Sequence, residues 1–155
     1  MLRVVVLVAL IGCSADDPVA ENSPDAQVGQ ADRELPPQGH SPLKAWLADG
    51  HYKSWACEEA PHPARPPGAH GTNRICSNAV LSSSLGGEYP VGAASVKELW
   101  QNGRVTGFAV GRKTTDGWYW YEAYGDNVIA DGVHRALCDN CHAGAPRDNV
   151  FTHVR

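Results

Sequence analysis

Hydrophobic and polar residues alternate along the second half of the chain with the two-residue period of β-strands. Successive side chains of a strand point to opposite faces of its sheet, so this alternation predicts half-buried strands. They span residues 72–77, 92–100, 104–112 and 118–124. Asn102-Gly103 and Asp116-Gly117 predict tight turns between the last three. Residues 92–124 are therefore expected to form an antiparallel meander, with Trp118 and Trp120 on one face of its last strand.

Helical patterns are confined to short segments. Ser41-Pro42 suits the N-cap and first position of a helix that Gly50 ends. Its apolar stripe is Leu43, Trp46 and Leu47. Other segments give weaker signals: a short helix over residues 133–137, a helical turn or loop over 78–85, and a loop over 58–71. The chain is predicted to have an α+β fold, a single domain of mainly antiparallel β-sheet with a few flanking helices.

Composition narrows the class of protein. With 43% hydrophobic residues and five tryptophans, the chain can bury a modest core. The 16 glycines and 11 prolines favour a turn-rich fold over a helical bundle. A formal net charge of −4 offers no basic patch for nucleic acid.

The N-terminus resembles a bacterial lipoprotein signal. Residues 1–12 carry Arg3 and an apolar run too short to span a bilayer, and Cys13 follows as the acylated residue. An ordinary secretory signal is the alternative. Residues 13–40 are acidic and proline-rich, which predicts a lipidated, disordered tether before a domain over residues 41–155. The expected location is the bacterial cell envelope facing the periplasm, and Ser14 favours the outer membrane.

A Cys-x-x-Cys-His sequence near the C-terminus carries the chemistry. Cys138, Cys141 and His142 have the spacing of covalent haem c attachment, in which two thiols add to the haem vinyl groups and the histidine ligates the iron. A zinc site would need a fourth ligand at an ordinary spacing, and a thioredoxin-like pair would need a βαβ pattern. Neither accompanies the motif. Haem c is therefore the predicted cofactor, and His142 its metal ligand.

The remaining cysteines, Cys57 and Cys76, are predicted to form a disulfide, since an extracytoplasmic compartment is oxidising. Two free buried thiols are the alternative.

Methionine is absent after Met1, so a mature chain that has lost its signal cannot supply methionine as a second axial ligand. The iron is then either five-coordinate with an open face or ligated by a second histidine. The candidates for that second histidine are His40, His51, His62, His70, His134 and His153.

The segment from Tyr89 to Phe151 resembles the family of cytochrome P-460 and cytochrome c′-beta. The resemblance rests on Val96-Lys97-Glu98-Leu99, the aromatic strand at Gly117-Trp118, the haem motif, and Asp148-Asn149-Val150-Phe151-Thr152. It implies haem packed against an antiparallel sheet, five-coordinate iron with His142 proximal, and a homodimer. It also implies that Lys97 is joined covalently to the haem and that Arg74 lies in the distal pocket, both as catalytic residues.

One position departs from the family pattern. Ala109 stands where the oxidising members place a distal carboxylate, so no general base is evident there. Glu122 is one substitute, and Glu98 another, although alternation places Glu98 on the face opposite Lys97. The predicted function is oxidation of hydroxylamine or nitric oxide, with electrons passed to a partner cytochrome. Non-catalytic binding of nitric oxide or another gas, and electron transfer by a bis-histidine haem, are the alternatives.

Overall fold

A computed structural model of the protein describes residues 35–155, which form a single domain built on one antiparallel sheet. Its six strands lie side by side in the order in which they occur along the chain. They are β1 (Ala56–Cys57), β2 (Asn73–Ser77), β3 (Ala94–Gln101), β4 (Arg104–Thr114), β5 (Gly117–Tyr124) and β6 (Asn127–Val133). Three α-helices flank it: α1 (His40–Asp49), α2 (Ala79–Ser83) and α3 (Ala136–His142). The predicted α+β fold is confirmed.

The two predicted turns set the register of the central strands. Asn102 and Gly103 both have positive φ, 51° and 74°, as a two-residue hairpin turn between β3 and β4 requires. Beyond the second turn, Thr114 pairs with Gly117. Because the second turn is tight, the partners of residues in β4 and β5 follow from their distance to it. Between β3 and β4 the register shifts by one residue between Leu99 and Trp100.

The sheet has two faces with separate cores. The α1 face is covered by α1, whose Leu43, Trp46 and Leu47 are buried against strand residues that include Val96 and Val110. The opposite face, called the α3 face below, is covered by α2, α3 and the C-terminal segment. Its core contains Leu81, Trp118, Trp120 and Val150, with Cys138 packed against them. The three buried residues of α1 are those of its predicted apolar stripe, so this prediction is confirmed.

The start of α1 differs from the prediction. The helix begins at His40, and Gly39 (φ 92°) rather than Ser41 occupies the N-cap, where its carbonyl accepts the Leu43 N–H. Gly50 ends the helix in the left-handed conformation, as predicted. Ordered packing also extends further towards the N-terminus than residue 41. Pro36 is buried, and its carbonyl accepts a 2.9 Å hydrogen bond from Arg112.

Two strands escaped the sequence analysis. β1 has only two residues, and β6 runs through Gly132, so neither shows a usable alternation. Cys57 of β1 lies directly opposite Cys76 of β2, and the predicted disulfide between them is present.

The predicted helix over residues 133–137 is wrong in position, because β6 continues to Val133 and α3 begins at Ala136. Within residues 35–155 no helix is long and apolar enough to cross a membrane. The predicted signal peptide and the acylated Cys13 lie outside the described residues.

Candidate functional site

The Cys-x-x-Cys-His motif forms most of α3, which lies against the α3 face of the sheet. Cys138, Cys141 and His142 all line one cavity of about 210 Å³ between the helix and the strands. The three-residue spacing places the two thiols on consecutive turns of one helix. Both thiols are free; Cys138 is half-buried and Cys141 is exposed. The structure therefore brings the three predicted attachment residues to one cavity.

The aromatic strand β5 fixes the position of α3. The indole N–H of Trp120 donates a 2.7 Å hydrogen bond to Asp139, the residue after the first motif cysteine. The Trp120 ring also packs on the His142 ring, with 4.3 Å between centroids, and stacks on Trp118 at 5.5 Å. A motif helix of only seven residues is thus held by a rigid indole rather than by its own length.

The C-terminal segment orients the His142 ring. Nδ1 of His142 lies 2.7 Å from the carbonyl oxygen of Asn149, which can only accept a hydrogen bond, so Nδ1 carries the proton. Asp148 and Asn149 have φ of 36° and 64°, a left-handed pair that turns this carbonyl towards the ring. Burial lowers the pKa of His142. The neutral ring therefore keeps Nε2 unprotonated, which is the form that binds iron.

Lys97 lies on the α3 face and lines the same cavity as the motif. Burial lowers the pKa of its ammonium group, while the charges of Glu122 and Glu58 act in the opposite direction. Within residues 35–155, Nζ of Lys97 takes part in no hydrogen bond or ion pair. A desolvated lysine amine is more readily deprotonated and hence more nucleophilic than an exposed one. Lys97 therefore faces the cavity that the motif residues line, and both its contact with haem and the covalent link remain predictions.

Glu122 supplies a carboxylate that the sequence analysis mentioned only as a substitute. Directly paired residues of adjacent strands share a face, and the pairings run from Lys97 to Ala109 and from Ala109 to Glu122. Glu122 therefore projects into the cavity beyond the small Ala109 side chain. Its Oε2 lies 3.3 Å from Nδ1 of His70, and the hydrogen bond from His70 lowers the pKa of Glu122 despite partial burial. Counting residues back from the turn at Gly117 would have found this pairing.

Arg74 is placed away from the cavity, so its expected distal position is corrected. It pairs with Glu98, one residue from Lys97, and alternation puts both on the α1 face. Arg74 Nε donates to the carbonyl of Glu58 at 2.7 Å, and Nη1 lies 3.5 Å from Glu98. Glu98 is only 3% exposed and also accepts from the Tyr52 hydroxyl at 2.7 Å. Arg74 therefore belongs to a buried structural network.

The residues around the cavity fit a covalently attached haem. Two reduced thiols and a histidine with a free Nε2 face one space, whose sheet wall includes the small residues Ala109 and Gly111. Leu137, on the motif helix, is 69% exposed and offers apolar surface at the cavity mouth. In residues 35–155 no group of three His, Cys, Asp or Glu side chains is arranged to hold a metal ion. A haem iron needs only one or two protein ligands.

No family model, curated protein or solved structure matches the chain. Membership of the cytochrome P-460 and c′-beta family therefore stays a prediction based on the motifs of the sequence. The functional argument depends on the cavity itself: its thiols, its imidazoles, Lys97 and Glu122.

Proposed function

We propose that this protein is a mono-haem c-type cytochrome whose haem occupies the cavity between α3 and the sheet. Thioether bonds from Cys138 and Cys141 would hold the haem, and Nε2 of His142 would ligate its iron. The observation that carries the proposal is the convergence of two free thiols and an oriented imidazole on one cavity. A histidine whose Nδ1 donates to a carbonyl is the usual arrangement for a metal ligand.

Small nitrogen species are the proposed substrates. Bound haem supplies the electron acceptor, and the chain's own residues control the surroundings of the substrate. Oxidation of hydroxylamine to nitric oxide releases three protons and three electrons. Oxidation of nitric oxide to nitrite, with the added oxygen atom taken from water, releases two protons and one electron. The electrons leave to an oxidised partner cytochrome. Glu122 is partly buried and lies on the same face as Lys97. It accepts these protons, because Ala109 has no carboxylate to do so.

The envelope location completes the proposal. Acylation of Cys13 would tether the domain to the bacterial outer membrane, on the periplasmic side. A covalent cofactor suits such a compartment, because it cannot be lost by dissociation. The Cys57–Cys76 disulfide is consistent with an oxidising environment.

Electron transfer without substrate binding is the second candidate, and one observation favours it. His70 lines the cavity with its ring centre 6.3 Å from that of His142, close enough for both imidazoles to reach one iron. A haem ligated on both sides exchanges electrons without an open site.

Steady-state oxidation of hydroxylamine by the haem-loaded protein, with an added electron acceptor, tests the catalytic proposal. Glu122→Gln should lower kcat about 10²-fold or more, as loss of a general base does. Glu59→Gln, an identical change at an exposed glutamate, should leave turnover unchanged. A loaded protein that reduces no acceptor in the presence of hydroxylamine or nitric oxide would overturn catalysis and leave electron transfer.

A further inference from the structure

Two imidazoles face the cavity at a spacing suited to a shared metal. The rings of His70 and His142 have their centroids 6.3 Å apart, with an interplanar angle of 57°. Two imidazoles that bind one metal ion from opposite sides, each through a bond of about 2 Å, have ring centres about 6 Å apart. The observed separation therefore leaves room for one iron between the two rings.

The hydrogen bonds of both rings leave the same nitrogen free. Nδ1 of His142 donates to the Asn149 carbonyl, and Nδ1 of His70 faces the Glu122 carboxylate at 3.3 Å. Carbonyl and carboxylate oxygens only accept, so each ring carries its proton on Nδ1. Neither Nε2 has a hydrogen-bond partner among residues 35–155. An imidazole held in this way by a carboxylate or carbonyl is oriented as a metal ligand.

His70 lies in the loop between β1 and β2, and two sets of bonds constrain that loop. The loop between β1 and β2 is closed at its base by the Cys57–Cys76 disulfide. Within it, His62 and Asn73 exchange two backbone hydrogen bonds of 2.9 Å. His70 therefore lies in a short closed turn just before β2, and its side chain is 20% exposed.

The other five histidines face elsewhere. None of them lines the cavity, and each has a partner outside it. They are His40 with Asp126, His51 with Trp46, His62 with Glu58, His134 with Asp139 and His153 with Tyr89. Of the six histidines that could serve as a second ligand, only His70 lies near His142 in the described part of the chain.

We infer that Nε2 of His70 is the sixth ligand of the haem iron, with Glu122 as its positioning residue. The inference rests on the proposed haem. With His142 on one side and His70 on the other, the iron of the resting protein is six-coordinate. A small molecule can bind only by displacing His70. This differs from the five-coordinate iron that the family resemblance implies.

The test is the spin state of the haem-loaded protein, read by absorption and electron paramagnetic resonance spectroscopy. Wild type should be low-spin, and His70→Ala should be high-spin. Ferrous His70→Ala should also bind carbon monoxide about tenfold or more tightly than wild type, because no ligand has to leave first. Added imidazole should return the variant to the low-spin state.

His51→Ala is the matched control, since it removes a histidine from the opposite side of the sheet, where His51 packs on Trp46. It should remain low-spin. Glu122→Gln should stay low-spin but shift the midpoint potential upward, because the iron-bound imidazole loses its anionic partner; Glu59→Gln should not shift it. Covalent haem with a high-spin wild-type spectrum, or a low-spin His70→Ala protein, would overturn the inference alone. Absence of covalent haem would overturn the proposed function as well.

Discussion

Arg74 and Lys97 show how one residue of strand position decides whether a side chain can act at the site. Arg74 is paired with Glu98, the neighbour of Lys97, and therefore lies on the α1 face. Its guanidinium group donates hydrogen bonds to the Glu98 carboxylate and to the Glu58 carbonyl, both outside the cavity. The two cationic side chains are close in register, yet the sheet separates them.

Arg74→Gln is expected to lower the free energy of unfolding by about 1–3 kcal/mol, because it removes the positively charged partner of the buried Glu98 carboxylate. Affinity of the loaded protein for carbon monoxide should change less than about twofold, since the residue lies away from the cavity. Urea unfolding and carbon monoxide titration measure the two effects. A large loss of affinity with unchanged stability would instead place Arg74 in the distal pocket.

Asp148 ties the C-terminal segment to the sheet and so supports the carbonyl that orients His142. Its side chain is 8% exposed and accepts from Lys113 at 3.0 Å, from Trp118 and from the Tyr89 N–H. Burial raises its pKa, but these hydrogen bonds outweigh it and hold the pKa of Asp148 below the ordinary value. The stabilisation is present above the unfolded pKa and is lost as pH falls through the folded one.

Asp148→Asn should therefore cost about 2–4 kcal/mol of stability at neutral pH. The cost should shrink as the pH falls from about 4, the ordinary aspartate pKa of the unfolded chain, through the lower pKa of the folded protein. Denaturant unfolding at several pH values measures this difference. Asp116→Asn, at an exposed turn carboxylate, is the control and should have little effect at any pH. A penalty for Asp148→Asn that does not shrink in acid would contradict the assigned role.

At the scale of elements, the strands with strong alternation and tight turns were predictable. Gly117 fixes the pairing of β4 with β5 and with it that of Ala109 with Glu122. The pairing of Lys97 with Ala109 was not predictable from the Asn102-Gly103 turn, because the register shifts between Leu99 and Trp100. β6 was not predictable, because it is held by pairing with β5 rather than by its own pattern. The start of α1 was missed because Gly39 caps the helix with backbone alone, whereas Ser41 is a stronger capping residue on propensity.

The disulfide between β1 and β2 is expected to stabilise the edge of the sheet and the loop that carries His70. Replacing both Cys57 and Cys76 by alanine should lower the free energy of unfolding by about 2–4 kcal/mol, because the bridge closes a loop with a sequence separation of 19. Reductant should destabilise wild type and leave the double variant unchanged. Equal stability of wild type with and without reductant would contradict this role.

At the scale of the whole molecule, the two faces of the sheet have different roles: one carries a packed core, and the other carries the candidate site. The α1 face holds a packed core and the buried Glu98 network. The α3 face holds the thiols, two imidazoles, Lys97 and Glu122. Sequence motifs could predict the attachment residues, since their spacing is local. His70 and Glu122 could not be paired from the sequence, because a loop and a strand 52 positions apart meet only through the fold.

The mass of the purified protein and of its peptides, after production in cells that attach haem to c-type cytochromes, tests the central claim most directly. One haem should remain on the peptide that contains Cys138 and Cys141 after acid extraction, and a Cys138→Ala, Cys141→Ala double variant should lack it. Haem joined also to the Lys97 peptide would establish the second covalent link. Two unmodified thiols in the wild-type peptide, both open to alkylation, would contradict the account.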